Sequence, residues 1–418
     1  MKKDFIHANV LMVGGAFAAQ SGAYLYHLLV GRMLPPSEYG ILQSLISLSN
    51  IITVPLVMLN MMMVKFVAQF AGFGEHGKIN FLYYRLTAYF WKILVIGGII
   101  FLIFSGPVLS FLHISSFGSF VFLDIALFFG LLQILNRSII QGISKFFELV
   151  VANVIESYGK LALGILAVLV GWGSTGAFGA FVLAGVFTYL YTLIVIEKNM
   201  SRSVVAADIG WRRIGSESVI SFIMTMSMIA FFNVDVVLVR HFLPGEAGTY
   251  AALSVLGKII YFGSAPIANT MLPLVSAAYA KGDGYHKMFL YSLGLTALLA
   301  GGISFVYWMF PEIVIRALIG AKYVSAASYL PMFGLFLSVC ALVNVVTMFY
   351  FGAHKATPIF FMPVAAVAQA SVIWFFHSTL ANVIGVSLAV TASLLGVLLL
   401  YYAYAARSKI ALRYHSRL

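Results

Sequence analysis

The chain contains one pattern twice, in two copies separated by about half of its length. Residues 32–40 (RMLPPSEYG) lie between two long apolar runs, and residues 240–248 (RHFLPGEAG) lie between two more. Both segments have the spacing Arg-x5-Glu-x-Gly, at an offset of 208 residues. A repeat of this length in an apolar chain predicts two related helical bundles.

Composition indicates that the two bundles lie in a membrane. Hydrophobic residues make up 62% of the chain and charged residues 9%, and the mean hydropathy is +1.01. A helix of about 18 residues or more can cross ~30 Å of hydrocarbon. The sequence predicts twelve such spans, at 8–31, 41–64, 86–109, 117–136, 149–171, 175–196, 215–239, 248–272, 288–310, 328–350, 356–376 and 382–406.

The predicted fold class is an all-α polytopic membrane protein with about 12 transmembrane helices in two six-helix repeats. An even number of spans returns the second copy in the orientation of the first, so the pseudo-two-fold axis should run along the membrane normal. The predicted parts are an N-terminal six-helix lobe at 1–200, an amphipathic inter-lobe linker at 201–214 and a C-terminal six-helix lobe at 215–418.

Membrane topology accounts for the net charge of +12. Of the 25 Lys and Arg residues, 17 fall in connectors on one side of the predicted membrane, 4 on the other side and 4 within spans. Because Lys and Arg accumulate in cytoplasmic loops, we predict that both termini are cytoplasmic. This assignment places Arg137 in a cytoplasmic connector, and it removes the argument for a nucleic-acid partner.

Enzyme motifs are weak in this sequence. Residues 72–77 and 171–176 fit the GxGxxG dinucleotide pattern, but both lie in short turns between predicted spans rather than between a strand and a helix. The single cysteine, Cys340, lies in an apolar span and allows no disulfide framework or Cys-based metal site. We therefore predict that the protein is not an enzyme and has no catalytic residues, no metal and no cofactor.

Charged residues within the predicted spans are the first candidates for a binding site, because a charge that faces lipid costs ~2.5–3.5 kcal/mol. Counting along the helices places Lys160 and Lys258 near mid-depth. Glu156 stands four residues before Lys160, and Asp235 stands within the predicted reach of the long Lys258 side chain. Each pair allows two interpretations, a substrate site or a structural salt bridge.

Two polar residues occupy the matched positions in the first copy. His27 corresponds to Asp235, and Asn50 corresponds to Lys258. One copy is therefore ionic where the other is only polar. Since duplication supplies a symmetric scaffold, we expect this asymmetry to mark the place where function was added.

Three further charges extend the predicted site. Arg32 and Arg240 stand at the matched turns, where they either cap helix ends or contact a phosphate. Asp124 in the fourth span has no evident partner in the sequence and, with His27, is a candidate for proton coupling. The predicted substrate-binding residues are Lys258, Lys160, Asp235, Glu156, Asn50, Arg32 and Arg240.

Several short motifs carry a resemblance to a known family. They are the repeated turns at 32–40 and 240–248, Asn233-x-Asp235 before the second turn, and residues 320–323 (GAKY) after Pro311-Glu312. With these motifs the sequence resembles the multidrug/oligosaccharidyl-lipid/polysaccharide (MOP) exporter superfamily, specifically its Wzx-like polysaccharide flippase branch. The match covers essentially the whole chain in helix count and lobe spacing.

The resemblance implies a function as well as a fold. Members of that branch have two six-helix lobes in a V and use alternating access. They move polyprenyl-(pyro)phosphate-linked oligosaccharide from the inner to the outer leaflet of the cytoplasmic membrane. The implied partners are the lipid-linked sugar substrate, membrane lipids and other polysaccharide-assembly proteins.

Two other functions stay open at this point. One is a drug or small-molecule exporter on the same fold, of the MATE-like type. Proton-coupled members of that branch often carry an aspartate in the first helix, where this chain has Gln20 and His27. Both this difference and the central lysines favour an anionic substrate. The other is a membrane enzyme of glycan assembly, which the short outer loops disfavour.

Overall fold

The computed structural model describes residues 2–200, 215–281, 284–355 and 357–415. Within these ranges the secondary structure consists of helices joined by turns, and no strand occurs. The predicted all-α membrane fold is therefore confirmed.

The chain divides into two compact units, and the first is Met1–Phe222. Its described helices are α1 (Lys2–Met33), α2 (Pro36–Gly72), α3 (His76–Ile103), α4 (Ser105–Phe111), α5 (Phe117–Gly142), α6 (Phe146–Leu169) and α7 (Gly173–Asn199). Helices α3 and α4 share the third predicted span. They are separated only at Phe104, which ends the first and begins the second.

The second unit is Ile223–Leu418, and the division between the units falls within α8 (Gly215–Phe231). The helices that follow are α9 (Val234–Phe242), α10 (Ala247–Lys281), α11 (His286–Met309), α12 (Pro311–Leu318), α13 (Leu330–Gly352), α14 (Phe361–Phe375) and α15 (Leu380–His415). Two 3-10 segments, Ala321–Ser328 and Thr357–Phe360, precede α13 and α14. The predicted linker 201–214 lies outside the described residues, and the lobe boundaries stay predictions.

Ten helical segments of the described chain are long and apolar enough to cross a membrane. They fall at the last ten of the twelve predicted spans. The first two predicted spans, 8–31 and 41–64, fall within α1 and α2, which are 32 and 37 residues long. At ~1.5 Å per residue both helices exceed the ~30 Å of a hydrocarbon core. The chain is a multi-pass membrane protein.

A break interrupts the predicted span 215–239 and separates α8 from α9. Asn233 lies at this break, and its side-chain Nδ2 donates a 2.8 Å hydrogen bond to the carbonyl of Ile229. An Asn side chain that bonds the backbone four residues earlier competes with the regular helical ladder. The break therefore follows from the residue type, although apolar periodicity alone predicts one continuous span.

The predicted loop after span nine also folds locally. Pro311 begins α12, where a proline loses no helical hydrogen bond. Ile315 is fully buried while Ile313 is 63% exposed, so α12 is amphipathic and suits the edge of a membrane. Gly320, which follows α12, has φ +117°, a conformation that side-chain-bearing residues rarely adopt.

Close helix contacts set the position of α6 in the first unit. Tyr26 on α1 is fully buried and donates a 2.9 Å hydrogen bond to the carbonyl of Ala177 on α7. A Cβ on Gly164 of α6 would lie 2.6 Å from the Tyr26 ring, so only glycine permits this approach. Small residues at helix contacts are typical of membrane bundles. This packing holds α6 between α1 and α7 and fixes which neighbours its charged residues meet.

Candidate functional site

The first unit contains an ion pair between two of its spans. Arg137 on α5 pairs with Glu156 on α6, and the side chains are 22% and 24% exposed. Glu156 therefore forms its ion pair with a neighbouring helix and not with Lys160 of its own helix. The guanidinium of Arg137 binds the Glu156 carboxylate more strongly than the ammonium of Lys160 does, so the i, i+4 pair that the sequence allows does not form.

Lys160 lies one helical turn beyond Glu156 and contacts a different group. Its Nζ lies 5.0 Å from the centroid of the Phe181 ring on α7. It also interacts electrostatically with both Glu156 and Arg137. The two cations and one carboxylate leave this cluster with a net charge of +1. We call Arg137, Glu156 and Lys160 the cationic cluster.

The structure places Arg137 within helix α5 and not in a connector between helices. The fourth predicted span ends at 136, whereas α5 continues to Gly142. The neighbouring Asn136 accepts a 3.1 Å hydrogen bond from Tyr83 and donates one of 3.0 Å to Thr192. These interhelical bonds keep the polar stretch inside the bundle. The apolar Ile139 and Ile140 after Arg137 were the sequence signal that the helix continues beyond residue 136.

The second unit contains Asp235 in a different environment. Asp235 is fully buried in the first turn of α9, where a carboxylate suits the positive end of the helix dipole. Its Oδ1 accepts the backbone N–H of Val236 at 2.8 Å, and its Oδ2 accepts the hydroxyl of Tyr250 on α10 at 2.7 Å. Tyr250 is a partner that the sequence analysis missed.

Lys258 on α10 bonds Asn233 rather than Asp235. Its Nζ lies 3.5 Å from Asn233 Oδ1 and 5.6 Å from the centroid of the Phe232 ring. Lys258 and Asp235 still interact electrostatically, without the direct contact expected from the sequence. With one cation and one carboxylate, this second cluster has no net charge. The second cluster consists of Asn233, Asp235, Tyr250 and Lys258, and it lies beside the α8–α9 break.

The matched residues of the first unit form an uncharged counterpart. His27 on α1 contacts Gln43 on α2, with 2.8 Å between Nδ1 and Nε2. The same Gln43 donates a 3.0 Å hydrogen bond to the hydroxyl of Tyr39. Each copy thus links its first helix to its second through a polar side chain. Asn50 is half-buried on α2, and its carbonyl accepts the hydroxyl of Thr53 at 3.2 Å.

The remaining candidates lie apart from these clusters. Asp124 on α5 faces Gly98 on α3, because a Cβ built on that glycine would lie 3.1 Å from both carboxylate oxygens. Arg240 is buried and donates a 3.3 Å hydrogen bond to the carbonyl of Pro244, which suits the capping interpretation. Arg32 is exposed at the end of α1. Among the described residues, no group of three or more His, Cys, Asp or Glu has the arrangement of a metal site.

Comparison with known proteins identifies the fold. No protein-family model and no curated protein matches the sequence. An inward-facing multidrug resistance transporter of the MATE family, in the MOP superfamily, is 16% identical over 94% of this chain and 95% of that one, with a TM-score of 0.75. The lipid II flippase MurJ, in an inward closed conformation, is 13% identical over 95% and 87%, with a TM-score of 0.72.

A third solved structure is similar over nearly its whole length. It is a MOP superfamily transporter from Pyrococcus furiosus, described by the reverse polarity of its binding pocket. The two proteins are 16% identical over 97% of this chain and 96% of that one, with a TM-score of 0.57. At such low identity the similarity concerns the fold, and this chain has the twelve-helix fold of MOP superfamily transporters.

Proposed function

We propose that this protein is a membrane transporter of the Wzx-like branch. It flips polyprenyl-(pyro)phosphate-linked oligosaccharide from the inner to the outer leaflet of the cytoplasmic membrane for polysaccharide export. The observation that carries the proposal is the net positive charge of the cationic cluster inside a membrane bundle. The two units work by alternating access, and both termini are cytoplasmic.

The cationic cluster suits an anion because its charges are unbalanced. An uncompensated charge in a span costs ~2.5–3.5 kcal/mol by insertion scales. The ion pair between Arg137 and Glu156 balances two of the three charges, and the Phe181 ring offsets part of the cost of Lys160, by ~0.5–2 kcal/mol. A phosphate group would supply the missing negative charge. Lys160 is only half-buried, so a substrate can reach it.

The second unit has a cluster of its own that suits a sugar. Asn233, Asp235 and Tyr250 are buried and hydrogen-bonded, so they position the half-buried Lys258, whose Nζ is the group of this cluster that donates to a sugar hydroxyl. Asn50 lies at the matched position, and the exposed Arg32 attracts the phosphate, whereas the buried Arg240 caps its own turn. Because this cluster has no net charge, it suits the uncharged hydroxyls of a glycan rather than a second phosphate.

One observation favours a second candidate, an exporter of cationic drugs. Asp124 is a carboxylate inside a span, and the described residues give it no hydrogen bond or ion pair. Such a group suits proton coupling or a cationic ligand. Solved structures with the same fold include MATE multidrug transporters as well as a lipid II flippase, so the fold agrees with both functions.

The test compares two substrates in reconstituted vesicles. We expect the protein to flip a fluorescent polyprenyl-pyrophosphate-linked disaccharide. We expect it not to transport the cationic dye rhodamine 6G. Lys160→Ala should lower flipping at least ~10-fold, equivalent to ~1.4 kcal/mol, and Lys160→Arg should retain part of it. Lys92→Ala is the matched control, because Lys92 is an exposed lysine on α3.

Two results would overturn the proposal. Transport of rhodamine 6G without flipping of the disaccharide would assign the drug-exporter function instead. Full flipping by a folded Lys160→Ala, Lys258→Ala double variant would remove both lysines from the substrate site.

A further inference from the structure

Two adjacent cavities lie at one end of the first unit, where α6 ends and α7 begins. The first, of about 240 Å³, is polar and is lined by the start of α2, by the α4–α5 turn with the start of α5, and by the α6–α7 turn with the start of α7. The second, of about 210 Å³, is an apolar groove lined by α5, α6 and α7. Trp172 lines both of them, so its indole lies at the boundary between the two cavities. Neither is part of the cationic cluster.

The polar cavity offers hydroxyls and one carboxylate. Ser116, Ser119 and Thr175 form a chain of hydrogen bonds in its wall, of 2.8 and 3.2 Å. In the described part of the chain, Ser115 makes no side-chain hydrogen bond, and Glu38 uses only Oε2, which accepts the N–H of Ser174 at 2.6 Å. The Ser115 hydroxyl and Glu38 Oε1 are therefore available to a ligand that carries hydroxyls.

The charge of this cavity selects against an anionic ligand. Glu38 is the charged residue among those that line it, and they include no Lys or Arg. Its carboxylate already occupies the start of α7, where the helix dipole would otherwise attract an anion. The backbone is built around this contact, since Gly173 has φ +56° and a Cβ there would lie 2.2 Å from Glu38 Oε2. A phosphate would meet a fixed negative charge.

The groove continues this site into the apolar part of the bundle. Its wall consists of apolar side chains and small residues, including Leu166, Gly179 and Leu183. Trp172 is 67% exposed at the junction, where an indole offers an apolar face together with an N–H donor. A molecule that fills both cavities must have hydroxyls at one end and hydrocarbon at the other.

We propose that these two cavities bind one membrane glycolipid. Its uncharged sugar headgroup occupies the polar cavity, against Glu38, Ser115 and the Trp172 ring. Its hydrocarbon chain lies in the groove between α6 and α7. The site differs from the proposed substrate site in its charge and in its residues, and it holds whether or not the protein transports a lipid-linked sugar.

Trp172 itself supplies the measurement. The variant used has Phe in place of Trp91, Trp211, Trp308 and Trp374, so that Trp172 is the tryptophan that remains. It is reconstituted into nanodiscs that contain either a dibrominated glucosyl-diacylglycerol or dibrominated phosphatidylcholine at the same low mole fraction. Bromine on a bound chain quenches the Trp172 fluorescence. We expect the glycolipid to quench about fivefold more effectively, as a preference of ~1 kcal/mol gives. Thermal unfolding confirms that the four-Phe variant is folded.

Variants separate this site from general lipid contact. Leu183→Phe should fill the groove and abolish the preference, whereas Leu190→Phe on the same helix should retain it, since the two leucines are 46% and 47% exposed and Leu190 does not line the groove. Ser115→Ala and Glu38→Gln should weaken the preference. Equal quenching by both lipids would overturn the proposal and leave Trp172 as an interfacial aromatic residue. A preference unchanged in Leu183→Phe would place the glycolipid elsewhere.

Discussion

The hydroxyl of Tyr250 donates a 2.7 Å hydrogen bond to the carboxylate of Asp235, and both residues are fully buried. This bond joins α9 to α10 just after the break at Asn233. In the first unit, His27 and Gln43 make the matching link between α1 and α2. The duplication therefore retained a polar connection between its first two helices while the chemistry of that connection changed.

Removing the Tyr250 hydroxyl should destabilise the second unit. In Tyr250→Phe the buried Asp235 Oδ2 loses its partner, which costs ~1–3 kcal/mol. Chemical or thermal unfolding in detergent measures this loss. Tyr291→Phe is the control, because Tyr291 is 77% exposed and its change should stay within ~0.5 kcal/mol. Equal stability of the two variants would mean that the bond is not stabilising.

Neutralising Arg137 and neutralising Glu156 should lower the stability of the first unit by different amounts. Arg137→Gln leaves Glu156 and Lys160 as one negative and one positive charge, whereas Glu156→Gln leaves two positive charges together. Because the pair is half-buried, breaking it should cost less than the ~3–5 kcal/mol of a fully buried pair, and we expect Glu156→Gln to cost more than Arg137→Gln. Unfolding of both single variants measures the difference.

A compensating variant checks the cause of that asymmetry. Adding Lys160→Gln to Glu156→Gln should recover stability, because it removes one of the two unbalanced cations. If Arg137→Gln proved the more damaging single change, the charge balance of the cluster would not explain its stability.

Gly164 tests the close contact between α6 and α1. A Cβ at this position would lie 2.6 Å from the Tyr26 ring, so Gly164→Ala should cost ~1–3 kcal/mol through overpacking. Gly130→Ala is the matched control, because nothing lies within 4 Å of a Cβ there. That control should be neutral or slightly stabilising, as alanine favours a helix over glycine by up to ~1 kcal/mol. Tm values in detergent compare them.

Asp124 should matter for energy coupling but not for folding. In the described residues it has no bonded partner, so Asp124→Asn should not lower the unfolding free energy, because it removes an uncompensated carboxylate from a span. If Asp124 carries the coupling proton, export in the variant should no longer respond to an imposed pH gradient. His27→Gln serves as the comparison, and a gradient response that both variants retain would exclude the two residues as coupling groups.

Membrane orientation can be tested with single cysteines. Cys340→Ala removes the only native thiol, which is buried. In that background, Lys78→Cys should react with an impermeant maleimide only from the cytoplasm, and Ser115→Cys and Thr379→Cys only from outside. The expectation rests on the positive-inside rule. The reverse labelling would invert the topology while leaving the fold unchanged.

The sequence by itself determined the membrane class, the spans and the repeat. Apolar runs of helical length can satisfy their backbone only as helices in lipid, so composition and length suffice for that conclusion. The helix break at Asn233 could also have been predicted from the sequence, because an Asn side chain competes locally for the hydrogen bonds of the helix backbone.

Only the tertiary structure decided which charges meet. Glu156 pairs with Arg137, which lies 19 residues earlier in the chain, and Lys160 turns to a ring on α7 instead. Lys258 likewise bonds Asn233, 25 residues away, rather than Asp235. Helical periodicity gives the face on which a charge lies, but the neighbouring helix and its rotation depend on packing contacts such as that of Gly164 with Tyr26. In a medium without water, the partner that packing brings within reach determines the charge of the site.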